Sequence, residues 1–155
     1  MPITITTAMP TSFKVSVLRA FHDFTASTGN TFKLALLKAT ASGSGTFGAA
    51  TTNYSDLGSD ELGSGSGYTT GGNTLTSITP TSDGTTAICD FDNTTWSAAT
   101  FTTCGGLIYN SSTVGGTSGR ACAVLSFGGD QQVSSGDFQI QFPAAAASTA
   151  IIRIA

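Results

Sequence analysis

His22 is the only histidine in the chain, so a catalytic triad, a His-metal cluster or a histidine general base would have to run through it. It stands beside Asp23 in TSFKVSVLRAFHDF, one position past Phe21, and the chain holds no G-x-S-x-G elbow with a serine for it to activate. A packed or helix-surface histidine is therefore expected. Asp90 and Asp92 in CDFDNTTW begin like a calcium loop, but its sixth position is Thr95 rather than Gly and its twelfth is Phe101 rather than Glu. They read as strand-end carboxylates before Trp96. Asp60 and Glu61 are carboxylates of the kind that glycoside hydrolysis uses in pairs, but the sequence sets no partner at the separation that chemistry needs. Gly43-Ser44-Gly45-Thr46-Phe47-Gly48 matches G-x-G-x-x-G, yet no amphipathic helix follows it to bring an N-terminus to a phosphate, so a loop is expected. Cys89, Cys104 and Cys122 are odd in number and lack C-x-x-C spacing, which favours buried thiols and leaves one pairing open. Asn53, Asn93 and Asn110 open glycosylation sequons that a Ser/Thr-rich chain produces by chance. No metal, cofactor or catalytic residue is predicted.

Composition agrees with a protein that works without such groups. The 155 residues are the usual length of one domain, and 19 glycines with only 10% charged residues favour strands and turns over long helices. A mean hydropathy of +0.16 and 39% hydrophobic residues argue for a folded core, and so little charge suggests a surface partly covered by partners. Nine acidic residues outnumber six basic ones, none of the basic ones lying between Lys38 and Arg120, so nucleic acid and anionic membranes are poor partners. MPITITTAMP has no basic region followed by an apolar run, and the most apolar stretch, 144–154, is broken by Ser148, Thr149 and Arg153. A protein made and kept soluble is expected.

The elements follow from periodicity. Phe13, Val17, Phe21 and Phe24 recur at helical spacing, which predicts a helix of about three turns, capped by Thr11 or Ser12 and ended in the stretch 27–30 that contains Gly29, with its aromatic face on a sheet. Residues 31–39 read as a half-buried strand, with Phe32, Leu34 and Leu36 on one side. A long Gly/Ser/Thr loop fills about 40–73, with one short element near 54–62. Short strands then follow at 74–79, 85–92, 99–110, 120–127, 137–142 and 150–154. Ser82-Asp83-Gly84, Gly115-Gly116, Gly128-Gly129-Asp130 and Ser135-Gly136 supply the chain reversals between them. ACAVLSF and LIY are apolar on both faces, so both should be covered, by the helix on one and the sheet on the other. The predicted fold is mainly β: an N-terminal arm, 1–10, and one domain, 11–155, built as an antiparallel sandwich, jelly roll or barrel with one N-terminal helix packed on the sheet.

The runs PTSFKVSVLRAFHDF, TFKLALLKA, GSGYTTGGNTLT, CDFDNTTWSAATFTTCGGLIYN, AVLSFGGDQQVSSGDFQIQFP and AIIRIA resemble a family of small structural proteins of tailed bacteriophages, across most of the chain. The resemblance implies a capsid cement or decoration protein. Such a protein sits in the virion on the outer surface of the head, after synthesis in the bacterial cytoplasm. Its partner is the major capsid protein, it forms a homo-oligomer with a trimer favoured, and it binds no nucleic acid, membrane or cofactor. The β-branched arm residues Ile3, Thr4, Ile5 and Thr6 are candidate contacts that would add as a strand to a neighbour's sheet, and Phe47, Tyr54 and Tyr68 in the long loop are the others. The alternative is a tail or head-fibre adhesin binding a host glycan or receptor through Tyr54, Tyr68, Trp96 and Tyr109, taken as exposed.

Overall fold

A computed structural model describes every residue, Met1–Ala155. In chain order its elements are β1 (Thr4–Ile5), α1 (Thr11–Leu18), β2 (Phe32–Leu36), β3 (Thr46–Phe47), a 3-10 segment at Tyr54–Asp60, β4 (Asn73–Leu75), β5 (Ser77–Asp83), β6 (Thr86–Phe91), β7 (Thr94–Asn110), β8 (Arg120–Ile140) and β9 (Ile152–Ile154). The protein is a mainly β sandwich with one α-helix. A four-stranded sheet runs in the order β4-β2-β7-β8, a three-stranded sheet in the order β5-β6-β9, and β1 pairs in parallel with β3.

Two apolar clusters lie on opposite faces of the larger sheet, and the alternation of side chains along β2 sorts residues between them. Phe32, Leu34 and Leu36 join Phe13 of α1, Cys89 and Phe91 of β6 and Ile152 of β9 in one cluster. Ala35 and the following Leu37 join Ile3, Phe47 and Leu57 in the other. So β2 is buried on both faces, where a half-buried strand was expected, and so are the apolar runs of β7 and β8. The layers also differ from expectation. The helix and the small sheet share one face, while the arm and the long loop form the layer on the other. Burying one Leu or Phe is worth about 1.5–3 kcal/mol, so the arm and loop are part of the core's energetics rather than appendages.

Helix α1 is shorter than the aromatic spacing predicts. Pro10 occupies the N-cap position, with no side-chain cap from Thr11 or Ser12. At the other end Phe21 N–H bonds Ser16 O and Ala20 N–H bonds Val17 O, the paired bonds of a Schellman stop, with Ala20 at φ +55°. Phe21 and Phe24 therefore lie beyond the helix. Arg19 and Arg120 each place a guanidinium over the Phe21 ring, at 4.5 and 4.8 Å, and Phe24 stacks on Phe32 with centroids 4.3 Å apart.

Two expected turns are bulges. The expected strands 120–127 and 137–142 belong to the single strand β8, which stops at Ile140 and leaves Gln141 and Phe142 outside it, and Gly128, Gly129 and Ser135, all at positive φ, sit inside it. Bulges need positive φ as turns do, which is why the sequence reads alike for both. The first part of the expected strand 74–79 pairs with β2 as β4 and the rest with β6 as β5, so the chain crosses from one sheet to the other at Thr76. The strand expected at 99–110 begins earlier, at Thr94. The Gly84 and Gly115-Gly116 reversals stand where expected, each glycine at positive φ.

Ala20 is exposed in a conformation that favours glycine. Ala20→Gly should therefore raise stability by about 0.5–1 kcal/mol in denaturant unfolding, with the slope unchanged; a loss would show that the Schellman stop is not what ends α1.

Candidate functional site

His22 is packed inside a closed hydrogen-bond network just past α1. Asn110 Oδ1 accepts from Ser112 N–H at 3.0 Å, which fixes the amide so that Nδ2 donates to Asn30 Oδ1 at 2.8 Å and to His22 Nδ1 at 3.1 Å. The imidazole proton then sits on Nε2 and is donated to Ser16 Oγ at 2.6 Å, while the Ser16 hydroxyl donates to Phe13 O at 2.9 Å. A nucleophilic serine needs the reverse polarity, its own proton passing to an unprotonated imidazole nitrogen. Here both ring nitrogens and the hydroxyl are committed to holding the 20–30 segment against the end of β7. Phe13, Phe24 and Phe32 surround the ring at centroid distances of 4.9, 6.0 and 6.3 Å. Burial, with the charge of Arg120 second, lowers its pKa to about 4.

Glu61 organises the long loop. It is buried and accepts from Tyr54 OH at 2.5 Å, Tyr68 OH at 2.8 Å and Gly71 N–H at 2.6 Å. Tyr68 OH accepts in turn from Leu36 N–H at 3.0 Å, and Tyr109 OH donates to Gly71 O at 2.8 Å. Tyr54 stacks on Tyr109 with centroids 4.5 Å apart. Burial pushes the Tyr109 phenol up to about 12 and raises those of Tyr54 and Tyr68 further. The clamp ties the loop to β2 and β7 and leaves the carboxylate no free face.

The glycine-rich loop does cradle an anion, and the anion is the chain's own Asp60. Ser44 N–H donates to Asp60 Oδ1 at 3.1 Å and Gly45 N–H to Oδ2 at 2.7 Å. A Cβ on Gly43 or Gly45 would run into that carboxylate. Asp56 likewise accepts from the amides of Thr52 and Asn53, and Asp130 from the amide of Thr40. Asp90 is fully buried, bonded by Phe91 N–H at 2.9 Å through Oδ1 with Oδ2 unpartnered, and burial raises its pKa. Asp92 is exposed past the strand end, so the D-x-D pair does not converge. Cys89, Cys104 and Cys122 are all free and buried, and burial lifts the Cys89 thiol to about 12. No group of three His, Cys, Asp or Glu side chains comes together as metal ligands.

The expected contact residues divide. Ile3, Phe47 and Tyr68 are core residues and unavailable to a partner. Ile5 and Tyr54 are half-buried, and Thr4 and Thr6 remain exposed. The arm is not a loose extension: Thr4 and Ile5 already pair in parallel with Thr46 and Phe47 of its own chain. Removing residues 1–8 would take Ile3 out of the core as well. The aromatic platform fails too, because Tyr68, Trp96 and Tyr109 are 2, 3 and 4% exposed. All three belong to the apolar clusters, the packing role that single aromatics near strand ends more often have.

What the surface offers instead is an apolar patch on α1 and β9. Val15, Leu18 and Ile154 are 53, 89 and 59% exposed. Beside them a groove of about 410 Å³ is lined by Met9, Phe13, Val17, Leu18, Ile152 and Ile154, with Lys14 and Arg153 also on its wall. The sequence held one signal for it. Val15 and Leu18 are three apart and lie off the Phe13–Val17 stripe, an apolar pair that a core-facing stripe does not need. No family model, curated protein or solved structure matches the chain.

Two measurements probe the networks. Tyr68→Phe leaves Leu36 N–H without its partner and takes a donor from Glu61, so it should cost about 2–4 kcal/mol in denaturant unfolding; a cost below about 0.5 kcal/mol would show the clamp carries nothing. For His22, the unfolded chain takes up a proton near 6.5 and the folded chain only near 4, so stability falls as pH drops through that window. The loss should be on the order of 2 kcal/mol, reduced from the full linkage value because the ring is partly exposed. It should be missing from His22→Gln in melts compared between pH 7 and pH 4.

Proposed function

We propose that the protein is a cement or decoration module of a tailed-bacteriophage head, acting through contact area on the outside of the assembled shell. Three supports carry unequal weight. The sequence resemblance supplies the setting. The low charge and the exposed apolar patch suit a surface that meets other proteins. The observation that carries the reading is where the reactive groups go. His22, Ser16, Asp60 and Glu61, the side chains with the types for chemistry, are bonded to one another, to tyrosines or to the chain's own amides, in a way that holds loops to strands. A chain that commits those groups to its own scaffold has surface as its working part.

The function then has a simple physical form. A shell packed with DNA is under outward pressure, and a module that binds only the assembled form, bridging neighbouring capsid subunits, stabilises that form by mass action. The bridging module's partner is the major capsid protein, and several copies act together. The rigid loop layer, tied down by Glu61, Asp60 and Asp56, keeps such a surface in one shape, which lowers the ordering cost of binding.

Purified expanded shells mixed with the isolated protein should bind it in numbers proportional to capsid subunits, read from a quantified gel, and should melt at higher temperature in calorimetry. Unchanged melting at saturating protein, or copy numbers that match a tail or vertex instead, would overturn the assignment.

A further inference from the structure

Each sheet has one open edge beside apolar surface, and the two edges are complementary. β9 hydrogen-bonds to β6 alone and ends the small sheet, with the α1 groove alongside. Along β9, Ile152 and Ile154 line the groove, and Arg153, between them, alternates to the strand's other side while still bordering the groove wall, and is exposed. β8 ends the large sheet; its first residues are bridged on the outer side by Ala8 and Asn53, and its last ones pair with β7 alone. Along its last residues Phe138 and Ile140 pack against the main apolar cluster yet remain partly uncovered, while Asp137 and Gln139 are exposed on the other face. One edge therefore carries apolar–cation–apolar, and the other acid–apolar–polar–apolar, in the same two-residue rhythm.

We propose that a second copy of this chain seats the Asp137–Ile140 edge of its β8 against β9, making the small sheet of one copy continuous with the large sheet of the next. In that join Phe138 and Ile140 lie beside Ile152 and Ile154 and are covered by Val17 and Leu18, while on the outer face Gln139 lies opposite Arg153 and Asp137 sits diagonally from it, within reach of the long arginine side chain. Charge selects this pairing over the obvious alternative. Two copies meeting through the same α1 face would set Lys14 and Arg153 against their own kind, whereas Asp137 and Asp130 are exposed acids of β8 itself. The contact is heterologous, so it repeats from copy to copy and closes into a ring where the rotation permits. It is a property of the chain without a shell, so its failure and the failure of the cement assignment are read in separate experiments.

Sedimentation of the isolated protein up to about 1 mM should show concentration-dependent self-association. Asp137→Arg and Arg153→Glu should each weaken it at least tenfold, and the double variant should restore it. Mixing the two single variants should also restore association, because each then offers the charge the other lacks. Melting curves run beside each variant separate lost contact from lost fold; Arg153 also bonds the carbonyls of Ala147 and Ser148, so Asp137→Arg is the cleaner of the two. A chain that stays monomeric throughout, or self-association indifferent to Asp137→Arg, overturns the join.

Discussion

The structure depends on one constraint: its central sheet is apolar on both faces. Leu34 and Leu36 face one way and Ala35 and Leu37 the other, all at 0% exposure, so a second layer on one side alone would leave part of the core in water. The small sheet and α1 cover one face. The other is covered by elements with almost no regular structure of their own, a two-residue arm strand, a two-residue partner and a 3-10 segment. Elements so short cannot hold their place by ladder bonds. They are held by side chains that reach amides, which is where the acidic residues of the long loop go.

That division explains what could be read from the sequence. β2, β6 and β9 were legible as strands because short apolar runs bounded by turn residues mark them, although the alternation in β2 pointed to one covered face and the structure covers both. The failures share a cause, which is that a local signal had two structural meanings. Positive-φ residues at Gly128-Gly129 and Ser135 serve a bulge as well as a turn, and only the partner strand decides between them. Phe13, Val17, Phe21 and Phe24 keep helical spacing, but the Schellman stop at Ala20 has no glycine to announce it, and the last two aromatics are placed by Arg120 and Phe32 from distant parts of the chain. The site was harder still. Glu61 meets Tyr54, Tyr68 and Gly71 within a short stretch, yet a loop rich in Gly, Ser and Thr gives no periodicity from which to place them. Asn110, which sets the His22 tautomer, stands 88 residues from it in sequence. His22 could be recognised as a packed residue, but not the polarity of its bonds.

The same scarcity of charge shapes the edges. Open strands are usually guarded by lysine, proline or bulges, because unpaired amides and carbonyls invite another strand. With six basic residues in the chain, this protein relies on the other two devices. β5 carries Pro80 where its register with β6 shifts, and β8 is bent at Gly128-Gly129 and again at Ser135. Past Ser135 no further positive-φ residue interrupts β8. The run Asp137–Ile140 holds no such residue, its apolar side chains partly uncovered and a carboxylate at its start, while β9 ends the other sheet with a cation flanked by isoleucines. A strand edge guarded along most of its length and left open in one apolar stretch invites another strand there, which is why the proposed join between copies lies at the ends of the two sheets rather than at the arm.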